Sequence, residues 1–522
     1  MTNFNPKFTW RYCTFNFVLL ALLFAWLWCQ NQAIKLPEPN LAPDAKLQCV
    51  SYSPYYQPGD TPLDPNTFIS PEQIDRDLAA LSKQFACVRI YSVSQGLDYV
   101  PEAASKLGMK VYLGAWIGWV KALNDKELNL AIAVANKHPE TIKALVVGNE
   151  VLLRGEQSEK MMKSYIERAK ASTKVPVTYA DVWEYWRKHP KLEESVDFVT
   201  VHILPYWEDK PKPIDIAVSH TANIMNLLGK TFHKPILIGE TGWPSIGRQR
   251  QGALPSVTNQ ARYMRGFLQT AQQKNWNYNL IEAFDQPWKR GLEGTVGGYW
   301  GILNANFSLK FPLSGNFAER HDGLKPMIAA VLGALLLTLI GLYFKAQNKV
   351  LNKQTWLGLV SLGALVGLST LLQSEYLLAA CRTQQEWMTL GGIAALGAVT
   401  LLGIASFAIN ATHKTKTIIQ LSALAFLLAA LTANFLLITD GRYRDFAIAL
   451  YLLPALQMAW GVRLLGAKLN PNKSVFKLLA TLLLLSALAC LYLEPSNQLA
   501  WAWLFINALL ASANWPQKST LA

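Results

Sequence analysis

Ala144-Leu-Val-Val-Gly-Asn-Glu150 is a run of aliphatic and β-branched residues that breaks at a glycine and then presents a carboxylate. Ninety residues later, Pro235-Ile-Leu-Ile-Gly-Glu240-Thr-Gly-Trp-Pro-Ser245 does the same. A strand that is apolar on both faces belongs in a parallel sheet covered by helices. A polar residue set at the end of such a strand is the pattern of the C-terminal rim of a parallel barrel.

Working outward, similar runs recur at 48–53, 87–92, 110–116, 143–148, 175–180, 198–203, 236–239 and 279–284. Helix-like stretches lie between them, at 72–83, 126–138, 158–171, 215–228 and 258–273. One short apolar run is ambiguous, but eight in alternation with helices specify a (β/α)8 barrel, an α/β fold. Strands 4 and 7 face each other across such a rim, so Glu150 and Glu240 can reach one bond.

Composition then changes. The stretch 12–30 is apolar, and beyond Pro326 further apolar stretches follow at 326–344, 356–377, 388–409, 417–438, 446–466, 474–493 and 497–514. Spans need about 20 apolar residues, so the expectation is eight: a signal anchor and an all-α polytopic membrane domain. The first lacks a small-residue cleavage site, which favours an uncleaved anchor. The expected domains are 1–33, 34–322 for the barrel, and 323–522 for about seven membrane helices.

The loop charges alternate. One side carries Lys7, Arg11, Lys345, Lys349, Lys353, Lys414, Lys416, Arg463, Lys468, Lys473, Lys477 and Lys518, with no acid. The other carries Asp322, Glu375, Glu386, Asp440, Asp445 and Glu494, with Lys325, Arg382, Arg442 and Arg444. The positive-inside rule places both termini in the cytoplasm and the barrel outside the cytoplasmic (inner) membrane. No Asp, Glu or Lys falls mid-span, so no proton relay is readable.

The net charge of +14 is not a nucleic-acid footprint. Residues 34–320 hold 33 Lys and Arg against 29 Asp and Glu, so the barrel is only +4, and no basic cluster stands on it. Of six cysteines, only Cys49 and Cys87 share the barrel. They could pair in an oxidising compartment, but buried free thiols are the favoured expectation. No metal motif and no cofactor cradle is present, so neither is expected.

Paired rim carboxylates are the working parts of a glycosidase, and about 5 Å between them marks the retaining kind. Here a resemblance becomes specific. Val146-Val-Gly-Asn-Glu150 and Ile238-Gly-Glu-Thr-Gly-Trp-Pro-Ser245 resemble the two signatures of glycoside hydrolase family 17, whose members act on β-1,3-glucans. Ser51-Tyr-Ser-Pro-Tyr55, Val88-Arg-Ile-Tyr91, Val201-His-Ile-Leu-Pro-Tyr-Trp207 and Glu282-Ala-Phe-Asp-Gln-Pro-Trp-Lys289 agree with it. The similarity covers about residues 46–305, and the membrane helices resemble a bacterial branch linked to periplasmic β-glucan synthesis.

The resemblance implies Glu240 as nucleophile, Glu150 as acid/base, and Asn149 as a hydrogen-bond partner of the sugar 2-hydroxyl. Tyr52, Tyr55 and Tyr91 could orient hydroxyls or pack the barrel mouth. Tyr206, Trp207, Trp243, Trp288 and Trp300 could offer flat faces to pyranose rings or fill the core. Arg89 is expected to pair with a rim carboxylate. Lys289 and Glu293 are expected in the subsite wall. Gln286 stands where plant relatives often have an acid, so it takes no acid/base role.

Such a site can resolve its covalent intermediate with water or with a sugar, so the alternatives are a glucanosyltransferase and a simple endo-glucanase. Placement outside a membrane favours transfer, with β-1,6 linking or branching as the product class. The expected partners are β-glucan, the lipid bilayer and, as a candidate, a membrane glucan synthase; nucleic acid is not one. A synthase using a cytosolic sugar nucleotide is disfavoured, because the cytoplasmic loops are about ten residues or fewer. A non-enzymatic accessory subunit or glycan sensor remains an alternative, against which both glutamates stand intact.

Overall fold

A computed structural model describes residues 7–42, 45–57, 59–347, 351–441, 444–467 and 474–515. Lys349, Arg442, Lys468, Lys473 and Lys518, used above in the loop-charge argument, lie outside the described residues. Contacts divide the chain into a barrel unit, Ile34–Gly247 with Gly252–Phe317, and a helical unit of Met1–Ala33, Arg248–Gln251 and Ala318–Ala522.

The barrel closes through eight parallel strands in sequence order. They are β1 (Leu47–Ser51), β2 (Phe85–Arg89), β3 (Lys110–Ala115), β4 (Ile142–Asn149), β5 (Val177–Val182), β6 (Val199–His202), β7 (Ile236–Thr241) and β8 (Asn277–Leu280). Two departures from the expected strand bounds bear on the site. β5 begins and ends two residues later than expected, which brings Asp181 into the strand. β8 ends at Leu280, and the chain leaves the barrel wall before Glu282.

Helices start where side chains satisfy their first N–H groups. Ser70 accepts from Gln73 N ahead of Pro71, Ser158 from Met161 N, and Ser256 from Asn259 N. Strand alternation sorts the core into two layers. Val50 and Val88 point out and pack against the helices. Cys49, Cys87, Tyr112, Ala144, Val146, Ala180 and Leu237 form a separate inner cluster. Ser51 and Arg89, two residues further on, are also buried and form part of the polar layer at the rim.

Cys49 and Cys87 sit opposite each other in the β1–β2 register and form a disulfide, with Cα atoms 4.4 Å apart. This corrects the expectation of free thiols. Spacing along the chain, 38 residues, gave no sign of it, whereas strand pairing makes the two neighbours.

Among the described residues of the helical unit, six helices are long and apolar enough to cross a membrane: Trp10–Gln30, Lys325–Ala346, Lys353–Ala380, Gln384–Ile409, His413–Thr439 and Ser474–Leu493. The other two expected spans are shorter. One, Ile448–Leu464, contains Pro454 and a π-turn at Gln457–Gly461. The other, Gln498–Asn514, has 17 residues. Helices Lys325–Ala346 and Lys353–Ala380 touch backbone to backbone, since a Cβ on Gly333, Gly363 or Gly367 would collide with main-chain atoms of the other helix. Small residues permit such an approach. In the interior, Tyr12 donates to Gln457 Oε1 (2.9 Å), and Gln457 donates to Asn16 Oδ1 (2.8 Å).

Candidate active site

β4 delivers Glu150 through an abrupt turn. Gly148 has φ +84°, and a Cβ there would meet Val151 at 2.8 Å and Met162 at 3.0 Å, so only glycine fits. Glu150 itself has φ +53°, a left-handed conformation that costs a non-glycine residue about 1–3 kcal/mol. Its backbone N–H donates to Ala180 O at 2.8 Å, which pins the turn to β5. On the other side, β7 delivers Glu240, which is 4% exposed. Gly239 before it leaves room for Thr200 and the His202 ring, which a Cβ would meet at 2.5 and 3.2 Å.

Oxygens of Glu150 and Glu240 and a ring nitrogen of His202 all lie within 4.8 Å of one another. His202 Nδ1 is 2.8 Å from Glu150 Oε1, and its Nε2 is 3.6 Å from Glu240 Oε1. Arg89 donates to Glu240 Oε1 (3.0 Å) and Gly239 O (2.8 Å), and with its other terminal nitrogen to Asn149 Oδ1 (2.5 Å). Tyr91 donates to the same Glu240 oxygen at 2.8 Å. Burial, and then the Glu240 charge, push the Tyr91 hydroxyl well above its ordinary range, so it stays a donor.

Burial pushes the Glu150 carboxyl up, but the His202 hydrogen bond and the charges of His202, Arg154 and Arg89 outweigh it and hold it below the usual range. The trio Glu150, His202 and Glu240 is a possible metal ligand set by spacing alone. The Arg89 guanidinium, 3.0 Å from Glu240 and 3.3 Å from His202 Nε2, already sets a fixed positive charge among them.

The aromatic and charged rim residues separate into two groups. Trp207 and Trp288 are half-buried, and Asn149, Tyr91, Lys289 and Glu293 are partly accessible. Tyr52, Tyr206, Trp243 and Trp300 are not accessible, so of the two readings open for each, packing of the barrel mouth or core is the one that burial favours. Tyr52 donates to Asp77 at 3.0 Å. Tyr206 packs edge-on against both Trp243 and Trp300, and Trp243 lies against Tyr263. Tyr55 is also buried and donates to Gln95 at 2.5 Å.

Lys289 donates to both oxygens of the fully buried Glu282, at 2.8 and 2.9 Å. Its charge is therefore matched within the protein. Burial raises the Glu282 carboxyl to about 7 even beside that lysine. Gln286 is buried and braces the β8 loop, donating to Ser53 O and accepting from Trp288 Nε1 at 2.8 Å.

Sequence reasoning missed His202, Glu282 and two exposed rim rings. Trp116 and Trp119 follow β3 and are 41% and 69% exposed. Arg154, on the loop that carries Glu150, lies over the Trp116 ring at 4.5 Å. Asn124 holds both Gly118 N and Gly118 O at 2.8 Å, so the loop between the rings is fixed. The available signal was two tryptophans directly after a strand end.

Residues 49–301 match the model of the BtgE/BtgC glycoside hydrolase domain. A probable glucan endo-1,3-beta-glucosidase btgC of Aspergillus terreus is 27% identical over 286 residues, 49% of this chain and 42% of the relative. A glucan 1,3-beta-glucosidase of Saccharomyces cerevisiae is 24% identical over 277 residues, 48% of this chain and 87% of that one. A crystal structure of a glycoside hydrolase family 17 β-1,3-glucanosyltransferase from Rhizomucor miehei aligns with 51% of this chain and 97% of its own, at 27% identity and a TM-score of 0.45. The chain thus spans about two fifths of the length of the first Aspergillus relative. Residues 49–301, just under half of the chain, are thus similar to the BtgE/BtgC glycoside hydrolase domain.

Proposed function

We propose that the protein is a membrane-anchored retaining glycosidase or transglycosylase acting on β-1,3-glucan. The observation that carries this is the approach of Glu150 and Glu240 to within 4.8 Å. Carboxyl groups about 5–5.5 Å apart serve double displacement, whereas inverting pairs stand about 6.5–9.5 Å apart to admit water.

Glu240 attacks the anomeric carbon while the C1–O bond breaks, and Glu150 gives its proton to the leaving oxygen. An incoming hydroxyl, of water or of a second glucan, then attacks the same carbon. Its proton passes to Glu150, and the Glu240 carboxylate is released. Arg89 and Tyr91 aim the attacking oxygen. A sugar packed over Glu150 strips its remaining hydration and drives it towards the protonated form that the first step needs. Asn149 Oδ1 is taken by Arg89, so its Nδ2 is the group that donates to the sugar 2-hydroxyl. Trp207, Trp288, Lys289 and Glu293 contribute the wall.

The domain reading is 1–33 as cytoplasmic N-terminus and anchor, 34–322 as the extracytoplasmic enzyme, and 323–522 as the membrane domain. The apolar helices and the loop charges support it, as does a disulfide inside the barrel, since such bonds persist in oxidising compartments. A tethered enzyme outside the inner membrane fits glucan synthesis or remodelling, with a glucan synthase as partner and β-1,6 linking or branching as an outcome.

The test incubates the purified full chain in detergent with labelled laminariheptaose, reading products by mass spectrometry and anomeric NMR. Glu240→Ala and Glu150→Gln run beside it. Longer products with retained configuration, absent from both variants, support transfer. Only shorter products make it an endo-glucanase, and inverted products sink the retaining mechanism.

A further inference from the structure

Three consecutive residues of β5 each accept a backbone N–H from the turn that carries Glu150. Ala180 O takes Glu150 N at 2.8 Å. The Tyr179 hydroxyl takes Leu152 N at 2.9 Å, and Asp181 Oδ2 takes Leu153 N at 3.3 Å. Tyr179 in turn donates a short hydrogen bond to the same Asp181 oxygen, and Asp181 Oδ1 takes Val182 N at 2.7 Å. Both side chains are buried, at 1% and 0% exposure.

No salt bridge reaches Asp181 among the described residues. A buried carboxyl without a cationic partner costs free energy, so its presence asks for a reason. The mechanism above gives it none. The Glu150 backbone, however, is in a left-handed conformation that persists only if its surroundings impose it. The hydrogen bonds at 150, 152 and 153 are what impose it.

We propose that Asp181 and Tyr179 are positioning residues for the acid/base: they hold the Glu150 turn in the conformation that aims its carboxyl at the glycosidic oxygen. The proposal rests on the reading of Glu150 as acid/base. The groups facing Asp181 are Tyr179 on its own strand, Glu150 from the β4 turn and His202 from β6, with Arg154 beside Tyr179. Burial and then the Glu150 charge raise the Asp181 carboxyl to about 6. The coupling is reciprocal, so removing the Asp181 charge lowers the pH at which Glu150 loses its proton.

Asp181→Asn, Tyr179→Phe and Glu150→Gln in the full chain are compared on two substrates, a laminari-oligosaccharide and 2,4-dinitrophenyl β-laminaribioside. The second leaves without a proton, so it does not need the acid. The readout is kcat/KM, which reports glycosylation. Both β5 variants are expected to lose about 100-fold on the oligosaccharide and no more than about 3-fold on the activated substrate, the pattern of lost general-acid catalysis. In Asp181→Asn, the alkaline limb of the oligosaccharide profile also moves to lower pH. Equal losses on both substrates, or no loss, overturn the proposal. Should Asp181→Asn not fold, Tyr179→Phe decides, since it removes one hydroxyl. If Glu150→Gln itself makes no distinction between the substrates, the acid/base assignment falls and the proposal falls with it.

Discussion

The Arg89 guanidinium meets the Glu240 carboxylate at 3.0 Å, with the two side chains only 2% and 6% exposed. A charge pair so placed is costly to form and far costlier to halve, since the surviving partner is left buried and alone. In the proposed mechanism it also supplies the positive charge that faces the attacking oxygen. Arg89→Met is therefore expected to destabilise the barrel by about 3–5 kcal/mol, and Arg89→Lys to keep the charge but lose the fork that reaches Asn149. The check is melting temperature beside kcat/KM. A lysine variant with unchanged kcat/KM would remove the clamp from the argument.

His202 bonds to Glu150, and this bond is the strongest influence holding that carboxyl down against burial. Without it the carboxyl rises. In the proposed glycosylation step Glu150 is the acid and must carry its proton, so on that reading the alkaline limb of kcat/KM follows it. His202→Phe should move that limb to higher pH while lowering the maximum, because Glu150 is no longer aimed. A pH–rate profile on laminari-oligosaccharides reads both; a limb that stays still or moves down refutes the assignment.

Glu282 has its carboxyl raised to about 7, above the ordinary 4.5. A group raised in the folded state binds its proton more tightly there than in the unfolded chain. Its stabilisation is complete below pH 4.5 and is lost as pH climbs through about 7, a swing of ~3 kcal/mol. Lys289→Met removes the matching charge and widens the swing. The variant should lose more stability at pH 8 than at pH 5, which thermal melts at the two values will read. Equal losses would mean the pair is not coupled to titration.

The Cys49–Cys87 bridge gives a countable outcome. Cys13, Cys29, Cys381 and Cys490 stand outside it, so maleimide labelling of the denatured, unreduced protein should modify four cysteines, rising to six after reduction. Removing the bridge with a Cys49→Ala, Cys87→Ala double variant should cost about 2–4 kcal/mol. Six labels without reductant would contradict both the bridge and the oxidising compartment proposed for the barrel.

The barrel and its two carboxylates were legible in the chain because buried parallel strands are written as uninterrupted apolar runs. Each of the two decisive runs ends at a glycine that the packing requires. His202, Asp181 and Glu282 were not legible. A single polar residue within or just past a strand reads the same whether it faces a helix, the barrel axis or a partner from another strand. Asp181 was further hidden by a strand boundary placed two residues early. The aromatic residues were half readable. Tyr206, Trp243 and Trp300 turn inward, with Tyr206 edge-on to both tryptophans, while Trp116 and Trp119 are exposed, and ring chemistry alone does not tell which side of a wall a residue takes. The disulfide escaped because it joins neighbours in space that are 38 residues apart in sequence.

The left-handed backbone at Glu150 carries a consequence for the history of the chain. Glycine and asparagine occupy that conformation more readily than glutamate does, so Glu150→Gly should abolish catalysis and yet melt no lower, or higher, than the parent protein. Thermal melts of that one inactive variant would test it. If the effect holds, only selection for the reaction keeps glutamate there. In a lineage that no longer needed the reaction, drift would replace it early, and a glycine at position 150 in a descendant would record the loss.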